Sequence, residues 1–221
     1  RQEYGDDGYA IGAGTGIVTV EGVTFTDNQR GAIRATTVNI IDSTFTNTRG
    51  RSAVNGVYVT ISGSTFTNSR ASSGAAVYVS RGTLTMSDML ITGTVVSPGG
   101  AIALLGSTAT ITHTRILGTT SSGSATYGDG INARDYTDSN PDIPSSLTVS
   151  DSCFVGNAAY AIRDLTSGTL NAGGNWWGAF DGPRGIGTGG GDSLNGNVIY
   201  QPFLTSDPAS CGSLNPIARN A

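Results

Sequence analysis

Acidic side chains are grouped in one polar segment of the chain, between residues 129 and 142. The residues there that could do chemistry are Asp129, Arg134, Asp135, Tyr136, Asp138 and Asp142. Carboxylate oxygens are hard ligands that suit Ca²⁺, and two carboxylates at the right separation can hydrolyse a glycosidic bond. The spacing matches neither an EF-hand nor a nonapeptide calcium repeat. We therefore expect a solvated polar loop with no catalytic residue and no cofactor, and Ca²⁺ at Asp135, Asp138 and Asp142 as the alternative.

Two adjacent tryptophans are the second candidate for ligand contact, because an exposed indole ring can stack on a sugar. Trp177 falls in register with Phe154 in the repeat described below, so we expect it to close the core. Trp176 then points outward or against the segment 191–197, and it would contact carbohydrate if it is exposed.

The single histidine and the two cysteines indicate structural roles. His113 follows a predicted strand at a corner, which favours a surface turn. Cys153 and Cys211 have no CxxC spacing, so we predict a disulfide that joins the C-terminal tail to the last full coil. Closing this loop would stabilise the fold by at most about 4 kcal/mol. A disulfide favours an oxidising, extracytoplasmic location.

A repeat positions all of these residues. Segments such as VTVEGVTFTDN, VNIIDSTFTNT and VTISGSTFTNS recur about seven times, with first spacings of 20 and 21 residues. Repeats of this length are typical of solenoids, in which each unit buries its apolar face against its neighbours. The last large apolar residues of the units form the predicted core ladder: Phe25, Phe45, Phe66, Ile91, Ile116, Phe154 and Trp177.

Apolar residues alternate with polar ones inside each unit, which indicates a strand with one buried face. One aligned column begins at Val18, Val38 and Val59, and a second follows two residues later. Small-apolar pairs, such as Ala32-Ile33 and Ala53-Val54, begin a further face. Three short strands per turn with stacked columns predict an all-β, single-domain parallel β-helix of about seven coils. Asn and Gly between the faces suit its left-handed corners.

Hydroxyl residues form an outward row on the first strand of each unit: Thr19, Asn39, Thr60, Thr85, Thr110, Thr148 and Asn171. Such rows resemble the surface of β-solenoid ice-binding proteins. Threonine is also a good strand residue, since its branched side chain suits a pleated surface. Ice binding is therefore an alternative hypothesis, not the main one.

The composition excludes some classes of function. The net charge is -4 and only 13% of residues are charged, so no basic stripe for nucleic acid is expected. No segment has the eighteen or so consecutive apolar residues that a membrane span needs. The chain begins at Arg1 without Met, which suggests a processed mature region.

Two groups of motifs resemble a known family. The FxxN corners at Phe25–Asn28 and Phe154–Asn157, and the Gly-Gly-Ala-Ile from Gly99, are similar to repeats of polymorphic outer-membrane proteins and other bacterial or archaeal surface β-helices. The strings GNWWG and GDSLNGNVIYQPFL, within residues 174–204, resemble the closing segment of extracellular right-handed β-helix proteins. The resemblance spans about residues 8–204 and implies a right-handed parallel β-helix of the pectin-lyase-like kind.

The resemblance implies several activities. Proteins of this shape include adhesin passengers, filament components, and polysaccharide lyases and hydrolases. Lyase relatives use acidic residues to hold Ca²⁺ and an Arg or Lys as base. Hydrolase relatives use Asn-Thr-Asp and Asp-Asp strings with a following His-Gly, and no such set occurs here; Asp6-Asp7 is a lone pair at a solvated N-terminal end.

The expected function is a non-enzymatic, extracellular structural or adhesive protein at the cell surface. Open β-helix ends are unpaired strand edges, so head-to-tail stacking into a filament is expected. Neighbouring surface proteins or a polysaccharide are the other expected partners. A polysaccharide lyase or hydrolase beside the 129–142 loop is the alternative. The expected divisions are an N-terminal cap at 1–9, the β-helix at 10–204 and a C-terminal tail at 205–221.

Overall fold

Every element in the described part of the protein is a β-strand. The computed structural model describes residues 8–97, 99–123, 129–208 and 211. The first four coils contain β1 (Ile11–Gly12), β2 (Ile17–Glu21), β3 (Thr24–Thr26), β4 (Ile33–Ile41), β5 (Thr44–Thr46), β6 (Val54–Ser62), β7 (Thr65–Thr67), β8 (Arg70–Ala71), β9 (Val77–Ser87), β10 (Leu90–Thr92) and β11 (Val95–Val96). The remaining strands are β12 (Gly100–Leu105), β13 (Thr108–Thr112), β14 (Arg115–Leu117), β15 (Thr120–Ser121), β16 (Asp129–Arg134), β17 (Ser146–Ser150), β18 (Cys153–Val155), β19 (Ile162–Leu165), β20 (Leu170–Asn171), β21 (Pro183–Gly185), β22 (Gly191–Asn195) and β23 (Val198–Ile199).

The strands pair in parallel with the strand one coil earlier and one coil later. They form a fourteen-stranded sheet, a six-stranded sheet and a three-stranded sheet, which curl around one apolar core. Like residues stack because the coils are in register; Val18 pairs with Val38, and Val38 with Val59. The predicted parallel β-helix of about seven coils is therefore confirmed.

The predicted core ladder lies on the six-stranded sheet. Phe25, Phe45 and Phe66 are in register and stack with ring centroids 4.8 and 4.5 Å apart. The ladder continues through Ile91 and Ile116 to Phe154. The ring of Trp177 lies 5.0 Å from that of Phe154, so Trp177 closes the core as expected.

The first two faces of the coil are formed by one continuous strand in some coils and by two separate strands in others. In the second to fourth coils, β4, β6 and β9 run through the corner between these faces as single strands. The sequence predicts three short strands per coil; the first two faces are separate strands in the first coil, as β1 and β2, and again from β12 and β13 onward. Pairing continues through the corner between β4 and β6 without a shift, and between β6 and β9 with a register irregularity between Gly56 and Tyr58.

Corners carry the residue types that tolerate a left-handed backbone. Asn47 and Asn68 have φ angles of 56° and 54°, and Gly93 and Gly118 follow in the same column with 62° and 64°. His113 has a φ of 46° and is exposed, which agrees with the predicted surface turn.

The C-terminal end of the β-helix is joined to the tail by a disulfide between Cys153 and Cys211, as predicted. Residues 198–204 pair along the last coil, where Gly174 N donates to Pro202 O and Leu204 N donates to Asn175 O. The expected cap and tail lie largely outside the described residues, as do Asp6 and Asp7. Those divisions of the chain stay a prediction.

Candidate functional site

One outward column of the fourteen-stranded sheet carries polar and aromatic side chains at five of its six positions. Each member directly follows a buried Ile or Val, so alternation along the strand turns it away from the core. The column is in register across six coils: Arg34, Asn55, Tyr78, Ala103, Asn132 and Arg163.

A hollow of about 290 Å³ lies over this column at Ala103. Ala103 is the smallest residue of the column, and it leaves open the space between Tyr78 and Asn132. The wall of the hollow consists of Ser73, Tyr78, Gly99, Ala103, Leu104, Leu105, Asn132, Arg134, Arg163 and Leu165.

A second hollow of about 170 Å³ adjoins the first, with Ser73 and Tyr78 in both walls. Its other lining residues are Tyr9, Gly50, Arg51, Ser52, Asn55, Ala71 and Ser72. The two hollows therefore form one depression across successive coils, which we call the groove.

Asp129 lies beneath the groove and is fully buried. Its Oδ2 accepts a hydrogen bond of 2.9 Å from Asn132 Nδ2 and lies 3.8 Å from Arg163 Nη1. Within the described residues, its Oδ1 has no hydrogen-bond partner. Asp129 thus contacts two residues of the groove wall from below.

Burial raises the pKa of Asp129 to about 6. The Asn132 hydrogen bond, the Arg163 charge and the main chain of Tyr160 oppose this rise, but desolvation of the carboxylate outweighs them. The Arg163 guanidinium also lies 5.0 Å from the centroid of the Tyr160 ring, within the range of a cation–π contact. Arg163 is therefore held from two sides while it lines the groove.

The far end of the groove contains Tyr9 and its neighbours. Burial raises the pKa of the Tyr9 phenol, and a hydrogen bond with Asn55 and the charges of Arg51 and Arg34 act against the rise. A phenol, an amide and two guanidinium groups thus lie together there.

The groove is positively charged although the protein is acidic. Arg51, Arg134 and Arg163 line it, and none of the described lining residues is a carboxylate. The whole chain has a net charge of -4. The groove therefore offers guanidinium, amide, hydroxyl and phenol groups to a ligand.

Comparison with known proteins gives the family. A family model described as the right handed beta helix region matches residues 10–176. The chain belongs to the right-handed β-helix family. No curated protein and no solved structure matches the chain. The expected right-handed fold is thus confirmed, and the closer resemblance to outer-membrane adhesin repeats stays a prediction.

The right-handed β-helix does not bring the 129–142 residues together as one loop site. Asp129 and Arg134 begin and end β16, whereas Asp138 and Asp142 are exposed beyond it. Tyr136 pairs with Ile143 in an antiparallel bridge and lies under the Arg81 guanidinium, 5.0 Å from its ring centroid.

Asp135 has a structural role. Its two oxygens accept main-chain hydrogen bonds from Ser145 N at 2.7 Å and Ser167 N at 2.8 Å. Burial acts to raise its pKa, but these amides outweigh burial and the pKa lies below its ordinary value. In the described part of the chain, no three His, Cys, Asp or Glu side chains are arranged to hold a metal ion. The calcium alternative at Asp135, Asp138 and Asp142 gains no support.

Trp176 is buried, with 8% of its surface exposed. It packs with the Cys153–Cys211 disulfide and Leu204, because residues 201–204 fold over the end of the last coil. Its ring is therefore not presented to solvent as a platform for a sugar. Among the described residues, no helix is long and apolar enough to cross a membrane.

Tyr78, Asn132 and Arg163 were not predicted as site residues from the sequence. A signal for them was present, because each directly follows an apolar residue of the Ala-Ile type of pair: Val77, Ile131 and Ile162. The residue directly after each small-apolar pair belongs to the outward column that lines the groove.

Proposed function

We propose that this right-handed β-helix is an extracellular, non-enzymatic adhesive protein that binds an anionic polysaccharide in the groove. The observation that carries the proposal is the charge of the groove. Three arginines and no carboxylate line a depression on a protein whose net charge is -4. Guanidinium groups form paired hydrogen bonds with carboxylates and similar anions, so a polymer with charged sugars matches the lining.

The shape of the groove supports a chain-like ligand. Its two hollows adjoin along successive coils, so a linear polymer can contact both. Asn55 and Asn132 offer amide donors and acceptors for sugar hydroxyls, and Tyr78, which lies between the hollows, offers an aromatic face. The parallel sheet holds these groups in fixed positions, so little entropy is lost on binding.

The chemistry of the lining favours binding over cleavage. Glycoside hydrolysis needs two carboxyl groups on either side of the bond. None of the described lining residues is a carboxylate, and Asp129, which contacts Asn132 and Arg163 of the lining, is fully buried. Lyase relatives also hold Ca²⁺ with acidic residues, and the described lining of the groove lacks them. The disulfide supports an oxidising location outside the cytoplasm.

The test is affinity electrophoresis in gels that contain polygalacturonate, alginate or a neutral galactan, followed by assays for new reducing ends and unsaturated sugars. We expect retardation by the uronate polymers, none by the galactan, and no product. Equal retardation by all three polymers would contradict the charge argument. New reducing ends or unsaturated sugars from any of the three polymers would contradict a purely adhesive role and support the lyase or hydrolase alternative.

End-to-end assembly is the second candidate, and the N-terminal edge favours it. In the described residues, β1, β2 and β3 pair only with strands of the second coil, so their outer edges have no partner strand. Such edges invite another chain. Electron microscopy of concentrated protein would show filaments with a regular axial repeat if copies stack. Isolated short rods would contradict end-to-end assembly. Binding of a polysaccharide or of a neighbouring surface protein would then remain as the candidate function.

A further inference from the structure

A second surface of the fourteen-stranded sheet is a complete array of hydroxyl groups. Three consecutive coils contribute three outward residues each, and the nine positions are in register. We call this surface the hydroxyl face; it consists of Thr83, Thr85, Ser87, Thr108, Thr110, Thr112, Ser146, Thr148 and Ser150. Threonine and serine make up 53 of the 221 residues, so nine hydroxyl residues at nine positions exceed what composition alone would place there.

The array is regular and rigid. Parallel strands lie about 4.8 Å apart, and alternate residues along a strand are about 6.7 Å apart. The residues between the hydroxyls point inward and are buried, as Leu84, Ile111 and Val149 show. Threonine has a restricted χ1 angle, so its hydroxyl and methyl groups repeat in the same orientation. The hydroxyl face is therefore a two-dimensional lattice with a fixed spacing.

Most of the hydroxyls are free to bond outward. Among the described residues, the array contains one side-chain hydrogen bond, from Ser146 Oγ to Thr108 Oγ1 at 3.1 Å. Six of the nine residues are exposed and the other three are half-buried. Each hydroxyl can both donate and accept.

The charge of the hydroxyl face restricts its partner. None of the nine residues is ionisable, although ionisable residues such as Asp88, His113 and Asp151 are exposed at the adjacent corner. A neutral lattice of donors and acceptors complements another neutral lattice of donors and acceptors. A soluble glycan or peptide would instead need a concave site with directional anchors, which this face lacks.

We propose that the hydroxyl face binds the surface of ice. An ice surface is a neutral, repeating array of hydrogen-bond donors and acceptors that excludes ions. Hydroxyls at fixed spacing can form hydrogen bonds within the lattice of ice. The threonine methyl groups between them restrict hydration water from adopting arrangements that do not match this lattice. This activity is independent of the groove and of the function proposed for it.

A narrower surface on the same molecule supplies the control. On the six-stranded sheet, β3, β5 and β7 present only two outward threonine columns over three coils. Thr110 lies at the centre of the hydroxyl face, and Thr46 lies on the narrower surface. Both side chains point outward, so a tyrosine at either position should leave the core intact.

The experiment measures thermal hysteresis and inhibition of ice recrystallisation for the wild-type chain, Thr110→Tyr and Thr46→Tyr. Circular dichroism melting curves verify folding, and Thr85→Tyr replaces Thr110→Tyr if the latter melts early. We expect activity in the wild type, its loss in Thr110→Tyr and its retention in Thr46→Tyr. No activity in the wild type would overturn the proposal. Loss only in Thr46→Tyr would also overturn it, because the narrower surface would then be responsible.

Discussion

At the scale of the residue, the ionisation of Asp129 is coupled to folding, because the carboxyl group is buried. Its pKa is about 6 in the folded protein and 3.8 in an unperturbed chain. Between these values the folded state binds the proton more tightly, so this group lowers stability as pH rises from 3.8 to 6. The Asp129→Asn variant lacks this titration, so its free energy of unfolding relative to that of the wild type should be higher at pH 7.5 than at pH 3.5. The expected increase is up to about 3 kcal/mol. Urea unfolding at the two pH values measures this difference.

Asp135→Asn is the matched control, with the opposite sign. The pKa of Asp135 is lowered because its carboxylate accepts two main-chain hydrogen bonds. It therefore contributes stability above its unfolded pKa, and the contribution is lost as pH falls. Asp135→Asn should be less stable than the wild type at pH 7.5, with a smaller difference at pH 3.5. If both variants lose stability equally at both pH values, the burial argument for Asp129 fails.

At the scale of the strand, the stacked phenylalanines contribute a column of buried rings to the core. Phe45 is fully buried between Phe25 and Phe66. Phe45→Ala should lower the free energy of unfolding by about 3–5 kcal/mol, since it removes a ring and leaves a cavity. Phe180 is 74% exposed, so Phe180→Ala should change it by less than about 0.5 kcal/mol. Denaturant titration compares the two, and equal effects would mean that the ladder does not carry the core.

Ala103 keeps the groove open, and a larger residue there should close it. A phenylalanine side chain at position 103 fits within the 290 Å³ hollow and would occupy the space between Tyr78 and Asn132. We expect Ala103→Phe to abolish retardation by uronate polymers while the melting temperature stays near that of the wild type. Thr46→Phe, on the six-stranded sheet, should bind as the wild type does. Undiminished binding by Ala103→Phe would place the ligand elsewhere.

The inward columns could be predicted from sequence, whereas the groove could not. An inward column is visible in the sequence because burial requires apolar residues at a fixed spacing, as at Val18, Val38 and Val59. The outward column is chemically mixed, so Ala103 and Arg163 show no shared property until the coils are aligned. The sequence favoured the acidic segment instead. In the structure Asp129 is buried and contacts Arg163 and the main chain of Tyr160, which are about thirty residues away along the chain. Trp176 is buried by the tail, which no local pattern indicates.

For the whole molecule, the disulfide joins the last coil to the tail across 58 residues. On a chain-entropy estimate, a loop of this length is worth about 4 kcal/mol at most. Reduction, or the double variant Cys153→Ala with Cys211→Ala, should lower the unfolding midpoint and shift Trp176 emission to the red as its ring becomes hydrated. Loss of stability without any spectral shift would mean that the tail stays packed on Trp176 after reduction.

The most direct test of the account is calorimetric titration of an oligogalacturonate into the wild type, Arg163→Gln, Arg134→Ala and Arg115→Ala. Arg115 lies on the six-stranded sheet, away from the groove. We expect each groove variant to weaken binding by about tenfold or more, because a hydrogen bond to a charged group contributes about 1.5–3 kcal/mol. Arg115→Ala should bind as the wild type does. Equal weakening by all three variants, or no heat from the wild type, would contradict a polysaccharide site in the groove.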